Sequence, residues 1–187
     1  MRVFGWAEAD VPVELAAQVA RLEAEAWPGG SPGHDPALAP RAMLLVDADG
    51  AVAASLALLF KEIPLAGRTY RAAGLSAVVT RASLRGRGIG GRLVAAARAA
   101  LAAEPGLDLA LFSCDRPLVP FYEAAGFEPL PATVLVGGTP HEPLATDAPG
   151  FDKTVMAAFF SDTPERDRAA FTGARVPLYP GSVDRLW

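Results

Sequence analysis

A short stretch rich in glycine and arginine, near the middle of the chain, has the residue types that bind anions. It consists of Arg85, Gly86, Arg87, Gly88, Ile89 and Gly90. The residues before it are typical of a strand and those after it of a helix, so unpaired backbone N–H groups and the positive end of the helix dipole would face one point. Successive amides can wrap two phosphates, and the arginines add charge. The stretch therefore predicts a site for the pyrophosphate of a dinucleotide or of coenzyme A.

The pattern differs from two common phosphate-binding motifs. No Lys-Ser or Lys-Thr pair follows the glycines, which excludes a P-loop nucleotidase. A Rossmann fingerprint would lie in the first strand-turn-helix unit, whereas this stretch lies almost halfway along the chain and follows strands that we expect to be antiparallel. A Rossmann dinucleotide site is therefore disfavoured.

Charge and cysteine content exclude several other classes of function. The 187 residues include 17 Lys and Arg against 21 Asp and Glu, a formal net charge of −4, which offers no general attraction to nucleic acid or to an anionic membrane. The single cysteine, Cys114, excludes an intramolecular disulfide framework and has no metal-ligand spacing with His34 or His141. We expect no metal, no nucleic-acid partner and a reducing, cytoplasmic location.

No segment has the pattern of a targeting or membrane-spanning element. Glu8 and Asp10 interrupt the amino terminus before an apolar stretch of signal-peptide length can form. The apolar run 51–60 is too short to cross a bilayer. We expect neither secretion nor a membrane partner.

Apolar periodicity and turn signals predict the elements that position the glycine-rich stretch. Helices are predicted from 13 to a break at 28–30, from 89 to about 101, at 116–125 with Asp115 as N-cap, and at 164–171. Strands are predicted at 1–6, 42–46, 51–60, 70–80, 107–113, 128–137 and 154–160. Gly74 is the position where a bulge in strand 70–80 would cost least. Strands precede, interrupt and follow helices, so the fold class is α/β or α+β, with a mixed sheet and a central parallel crossover.

Two motifs, in this order, resemble the GCN5-related N-acetyltransferase (GNAT) superfamily. Arg85, Gly88 and Gly90 fit its acetyl-coenzyme A loop, Gln/Arg-x-x-Gly-x-Gly/Ala, which follows a long fourth strand. Residues 121–127, Phe-Tyr-Glu-Ala-Ala-Gly-Phe, look like its later Phe-Tyr-x-x-x-Gly-Phe segment. The resemblance covers roughly residues 1–160. It leaves 161–187 as a C-terminal extension of one N-acetyltransferase domain, 1–187.

The resemblance implies a fold, a cosubstrate and a reaction. The fold is a GNAT-like domain whose mixed, mostly antiparallel sheet has about six or seven strands, flanked by helices on both faces. The cosubstrate is acetyl-coenzyme A, without a metal. The reaction is direct transfer of the acetyl group, in a ternary complex, to a primary amine of a small molecule. Relatives commonly pair edge strands across dimers, so the resemblance is compatible with a homodimer.

The same resemblance assigns roles to the long strand and to the helix that follows later. The N–H groups of Val78, Val79 and Thr80 would bind the pantetheine, and one would polarise the thioester oxygen. Tyr122 would be the general acid, because a phenol with an ordinary pKa of about 10 stays protonated at neutral pH and can protonate a thiolate. The strand has no carboxylate where relatives often have a glutamate, so we expect a water held by Ser76 to remove the amine proton.

A further resemblance, to aminoglycoside 2′-N-acetyltransferases, concerns the acceptor. It rests on overall length, on Ser113-Cys114 and on the terminal tryptophan. It implies that Ser113 and the carboxylate of Trp187 reach the acceptor, and that Asp35 meets its ammonium groups. Two alternatives stay open: a peptide or protein N-terminal acetyltransferase, and a non-catalytic acyl-coenzyme A sensor, which the missing carboxylate favours.

The remaining reactive side chains have structural interpretations. Cys114 ends a predicted buried strand, where an inert thiol is commoner than a nucleophile. His34 and His141 lie in loops rich in glycine and proline, so the sequence favours exposed imidazoles at both positions over catalysis.

Overall fold

A central seven-stranded sheet organises the part of the chain that the computed structural model describes, residues 1–30, 33–139, 141–151 and 153–178. Its strands are β1 (Arg2–Ala7), β2 (Arg41–Val46), β3 (Val52–Leu65), β4 (Arg68–Thr80), β5 (Leu109–Asp115), β6 (Glu128–Pro129) and β9 (Lys153–Phe159). The helices are α1 (Val13–Ala26), α2 (Ile89–Ala102), α3 (Val119–Glu123) and α4 (Pro164–Phe171). The spatial order is β1-β2-β3-β4-β5-β9-β6, and neighbours are antiparallel except β4 and β5, which are parallel. The predicted mixed, mostly antiparallel sheet is confirmed.

Side chains of the sheet pack under helices on both faces. Leu44 of β2 lies in one hydrophobic cluster with Leu22 of α1. Its neighbours Met43 and Leu45 lie in another cluster with Leu93 of α2. Because successive residues of a strand point to opposite faces, α1 and α2 cover opposite sides of the sheet, as the sequence predicts.

The parallel strands β4 and β5 pair only near their beginnings. Ala72 is opposite Leu109 and Ala73 is opposite Ala110, and the register between these two strands stops there. Beyond this point β4 keeps its pairing with β3, and β5 keeps its pairing with β9. The two strands therefore diverge, and the second half of β4 presents one edge to a cleft.

A β-bulge bends β4 beside this cleft. Ser76 and Val79 are three residues apart but face positions of β3 that are only two apart, so β4 carries the extra residue. Ala77, inside the bulge, has a φ of 49°. Gly74 pairs regularly with Leu59, so the predicted bulge at Gly74 is wrong. Glycine is not needed at the bulge because one alanine adopts the left-handed region at a cost of about 1 kcal/mol.

The segment 128–137 is not the single strand that the sequence predicts. β6 extends the edge of the central sheet beside β9, whereas β7 (Val134–Gly138) lies in a second sheet between β8 (Pro143–Ala145) and β10 (Arg175–Pro177). Pro129 and Pro131 interrupt the segment. Since proline has no backbone N–H, it cannot continue a ladder of strand hydrogen bonds.

The helix predicted at 116–125 is also shorter, and it lacks the predicted cap. It begins as a 3₁₀ turn, Arg116–Leu118, before α3. The Asp115 carboxylate makes no cap hydrogen bond and instead accepts from Lys153 Nζ at 2.7 Å. Pro117, the second residue after Asp115, supplies no N–H for a capping carboxylate.

Candidate active site

The turn between β4 and α2 leaves the start of the helix open. Residues 85–88 are exposed, and Gly86 and Gly88 have φ values of 73° and 74°, which glycine adopts without a Cβ penalty. Arg92 N donates to Gly88 O at 3.0 Å as the helix begins. The amides that precede it have no carbonyl partner within α2 and point towards incoming anions.

Two contacts hold this turn against the end of β4. Arg85 Nε donates to the carbonyl oxygen of Thr80 at 3.0 Å, which anchors its guanidinium beside the strand. Gly90 is buried, and a Cβ built on it would lie 2.6 Å from Thr80 Oγ1 and 3.4 Å from the ring of Phe121. Glycine at this position therefore allows α2 to start in contact with both β4 and α3.

A cleft of about 380 Å³ lies where β4 and β5 diverge, and we call it the β4–β5 cleft. Its walls are Leu75, Ser76, Ala77 and Val78 of β4, Ser113, Cys114 and Asp115 of β5, Tyr122 of α3, and Trp27, Leu118, Phe151 and Lys153 at its rim. Predicted site residues Ser76, Val78, Ser113 and Tyr122 are thus brought to one cavity.

Tyr122 is buried and closely packed in the wall of this cleft. It is 6% exposed, and its ring packs edge-on against Phe112 and Phe121, with centroids 4.9 Å away in both pairs. Burial raises the pKa of the phenol far above its ordinary value, and the neighbouring Cys114 and Asp115 add to the increase. The hydroxyl therefore keeps its proton throughout the neutral and mildly alkaline range and can act as a donor.

Cys114 is expected to resist alkylation. Its side chain is buried, and burial raises the pKa of the thiol from 9.0 to about 11, with Asp115 adding to the increase and Lys153 opposing it. At pH 8 about one thiol in a thousand is ionised, so iodoacetamide should react at least tenfold more slowly than with glutathione, and faster as the pH rises. Labelling of the folded protein at the rate seen after unfolding in urea would contradict this expectation.

A second cavity, of about 440 Å³, lies beside the carboxyl end of α1, and we call it the α1 pocket. Ala20, Glu23, Ala24, Trp27, Gly30, Gly33, His34, Ser76 and Ala77 line it. Burial raises the pKa of Glu23, an increase that His34 opposes and Glu8 supports. Trp27, Ser76 and Ala77 line both cavities, so the pocket and the cleft meet at the bulge of β4.

A chain of hydrogen bonds runs along the edge of the α1 pocket. Ser76 Oγ lies 3.0 Å from His34 Nε2, and His34 Nδ1 lies 2.9 Å from Glu8 Oε1. The backbone N–H of His34 donates to the other oxygen of Glu8 at 3.2 Å. The His34 side chain is only 11% exposed, so the expectation of an exposed loop imidazole is wrong there. Burial follows from partners that are distant in sequence, 26 and 42 residues away.

Asp35 and His141, which the sequence also names, do not line either cavity. Asp35 is exposed and accepts a hydrogen bond from Ala37 N at 2.8 Å, as the cap of a 3₁₀ turn, and it is not part of either cavity wall. His141 is exposed, as expected. Trp187 lies outside the described residues.

Comparison with known proteins settles the family. A sequence model described as an acetyltransferase (GNAT) domain matches residues 14–130. The chain belongs to the GNAT acetyltransferase family. It is therefore an acyltransferase of a family that uses acetyl-coenzyme A as its acyl donor, as the two motifs imply. Among curated proteins, none matches the chain by sequence.

Solved structures share the GNAT fold at low sequence identity. A GNAT family N-acetyltransferase (YhbS) from Escherichia coli, in complex with CoA, has a TM-score of 0.62 and 17% identity over 96% of this chain and 91% of that chain. ElaA from Escherichia coli has a TM-score of 0.59, and an acyl-CoA N-acyltransferase from Pseudomonas aeruginosa has 0.58. Both are 16% identical to this protein in sequence. In each case the match covers 83% of this chain and 97% of the other chain.

No group of His, Cys, Asp and Glu within the described ranges could hold a metal ion. None of the helices described here combines the length and the apolar character needed to cross a bilayer.

Proposed function

We propose that this GNAT protein transfers the acetyl group of acetyl-coenzyme A directly to a primary amine of a small molecule. The observation that carries the proposal is the meeting of the β4–β5 cleft and the α1 pocket at Ser76 and Ala77. A thioester in the cleft and an amine in the pocket would touch there, as direct transfer requires. The volume of the pocket, about 440 Å³, is in the range of small-molecule sites.

The open start of α2 fits the pyrophosphate of the cosubstrate. Amides of Gly86, Arg87, Gly88, Ile89 and Gly90 lie at or before the first helical turn, where their N–H groups have no helical partner. The two left-handed glycines expose this backbone, and nothing lies within 4 Å of where their Cβ atoms would be. These residues would bind the phosphates through N–H donors.

The unpaired edge of β4 fits the pantetheine arm. Val78 lies in the bulge, and Val79 and Thr80 follow it, on the part of β4 that β5 does not pair with. Those of their backbone N–H and C=O groups that face away from β3 would continue the ladder onto the amides of the arm. An N–H at this edge would polarise the thioester oxygen during attack.

Tyr122 would supply a proton to the departing sulfur. Its phenol lines the cleft and stays protonated because burial raises its pKa. A buried O–H directed at sulfur stabilises the charge that develops as the C–S bond breaks, and then protonates the thiolate.

We propose amino sugars, aminoglycosides included, as the first acceptors to test. The α1 pocket contains the Glu23 carboxylate, which attracts an ammonium group, and the ring of Trp27, which can pack on a sugar or aromatic face. Ser113, in the cleft wall, stays a predicted acceptor contact, and so do Asp35 and Trp187.

A thiol-release assay with a panel of amines tests the proposal. The panel contains kanamycin, glucosamine, tyramine and a short peptide with a free amino terminus, and mass spectrometry confirms the acetylated product. We expect acceptor-dependent release with a small amine. Turnover of the peptide alone would favour an N-terminal acetyltransferase. Tight coenzyme A binding with no transfer to any amine would favour the sensor, and either result would overturn the proposal.

Replacing Gly90 by alanine is expected to weaken acetyl-coenzyme A binding about tenfold, because the new methyl group meets Thr80 and shifts the start of α2 by a few tenths of an ångström. Isothermal titration with coenzyme A measures the effect. The matched control is Gly91→Ala, whose Cβ would meet only the Phe121 ring, at 3.9 Å. Equal dissociation constants for the two variants would contradict the expectation.

A further inference from the structure

The hydrogen bonds around His34 define the orientation and the tautomer of its ring. Both oxygens of Glu8 accept from this residue, one from the ring and one from the backbone N–H. A carboxylate accepts hydrogen bonds and cannot donate them, so the proton of a neutral His34 ring lies on Nδ1. Nε2 then has a free lone pair directed at the Ser76 hydroxyl, 3.0 Å away.

Within the hydrogen-bonded chain Glu8–His34–Ser76, Ser76 is the residue that lines both proposed substrate cavities. It lines the α1 pocket and the β4–β5 cleft, whereas Tyr122 lines only the cleft and His34 only the pocket. A serine hydroxyl is not a base at neutral pH, but it can pass a proton on when its own O–H donates to an imidazole.

We infer that His34, oriented by Glu8, accepts the proton of the acceptor amine through the Ser76 hydroxyl. This inference rests on the proposed acetyl transfer. It supplies the base that β4 itself lacks, since Gly74, Leu75, Ser76 and Ala77 include no carboxylate.

The amine lone pair forms the C–N bond to the acetyl carbon, and the C–S electron pair leaves with sulfur. As the nitrogen loses its proton to Ser76 Oγ, the Ser76 hydroxyl proton moves to His34 Nε2, and Glu8 stabilises the imidazolium. Tyr122 protonates the sulfur. His34 later releases its proton to water in the pocket, and Tyr122 regains one from water, so amine and thioester yield amide and thiol.

The charged groups around His34 favour this role. Glu8 faces the ring from the turn after β1, and Glu23 faces it from α1. Both carboxylates stabilise an imidazolium. The side chain of His34 is 11% exposed and that of Glu8 is 28% exposed. Because limited exposure reduces screening by water, the attraction between a protonated His34 and Glu8 is stronger than that of an ion pair on the surface.

The experiment compares His34→Gln, Glu8→Gln and Ser76→Ala with the wild type, using the panel amine that gives the highest rate. We expect kcat to fall about 100-fold in His34→Gln and about tenfold in Glu8→Gln, with the KM for acetyl-coenzyme A unchanged. The kcat/KM pH profile of His34→Gln should differ from that of the wild type. His34→Asn, which can still donate to Glu8, is the second variant if His34→Gln fails to fold.

Two matched controls separate the relay from general damage. Ser55→Ala removes a buried hydroxyl of β3 that has no hydrogen-bond partner among the described residues, and His141→Gln removes an exposed imidazole. Both should retain kcat within twofold. A pH profile and kcat in His34→Gln equal to those of the wild type would overturn the relay while leaving acetyl transfer intact.

Two further measurements distinguish this inference from the function it rests on. Nitrogen NMR of the free protein should show a His34 ring protonated at Nδ1 and not at Nε2, a result that needs no acceptor; the opposite tautomer would overturn the relay. Intact-mass analysis after acetyl-coenzyme A alone should show no acetyl group on Ser76. Acetyl-Ser76 would mean that the serine is a nucleophile, which would overturn the relay and direct transfer together.

Discussion

Tyr122→Phe is expected to lower kcat about 100-fold while leaving the dissociation constant of coenzyme A within twofold of the wild type. Phenylalanine keeps the ring and its edge-on contacts with Phe112 and Phe121, so the wall of the cleft is preserved. The substitution removes only the O–H that would stabilise the departing sulfur. Steady-state kinetics with a saturating amine and a binding titration measure the two quantities separately.

The pH profile adds an independent check on Tyr122. Burial raises the pKa of the phenol above its ordinary value, so its proton is present at every assay pH below about 10. The wild type should therefore show no loss of kcat from Tyr122 ionisation between pH 7 and about 10. Full kcat in Tyr122→Phe across that range would show that another group protonates the thiolate.

Asp167→Ala is expected to reduce the free energy of unfolding by about 2 to 3 kcal/mol. Asp167 of α4 is 0% exposed, and its carboxylate accepts from Arg68 Nη1 at 2.9 Å, from the Tyr70 hydroxyl at 3.4 Å and from the Ser161 hydroxyl. Burial raises the pKa of the Tyr70 phenol, and Asp167 adds to the increase. Alanine would leave the buried Tyr70 hydroxyl without this acceptor and would remove one partner each from Arg68 and Ser161.

Urea denaturation followed by circular dichroism measures the loss, and Asp162→Ala is the control. Asp162 lies five residues earlier and is exposed, so its removal should change stability by less than about 0.5 kcal/mol. The cost at Asp167 is limited because Arg68 also pairs with Asp108, at 2.6 Å. Equal midpoints for the two variants would show that the buried carboxylate does not hold α4 to the sheet.

The parts of the fold with strong local signals could be predicted from sequence. The helix at 164–171 matches α4 at both ends, and the Asp-Gly turn correctly joins two antiparallel strands. The strand, glycine-rich turn and helix at 70–101 are in place as well. Each of these depends on neighbouring residues, whose pattern a single sequence displays.

The acceptor side of the site could not be predicted because it depends on distant contacts. The role proposed for His34 depends on its hydrogen bonds with Glu8 and Ser76, and no spacing rule connects three residues on a turn, a loop and a strand. The sequence predicts Ser76 as a site residue but does not predict that Glu8 and His34 lie beside it. The sequence does place an acidic residue, Glu8, before the first helix and a histidine, His34, after it. Only the folded structure shows that these two residues are in contact.

The two cavities of the proposed catalytic centre come from different stretches of the polypeptide. The cleft with Tyr122 and the open helix start are built mainly from residues 74–122, whereas Glu8, Glu23 and His34 precede the second strand. Substitutions confined to the first 34 residues could thus change the acceptor amine without changing the binding of acetyl-coenzyme A. The selectivity for the acceptor and the binding of the acyl donor could then evolve independently.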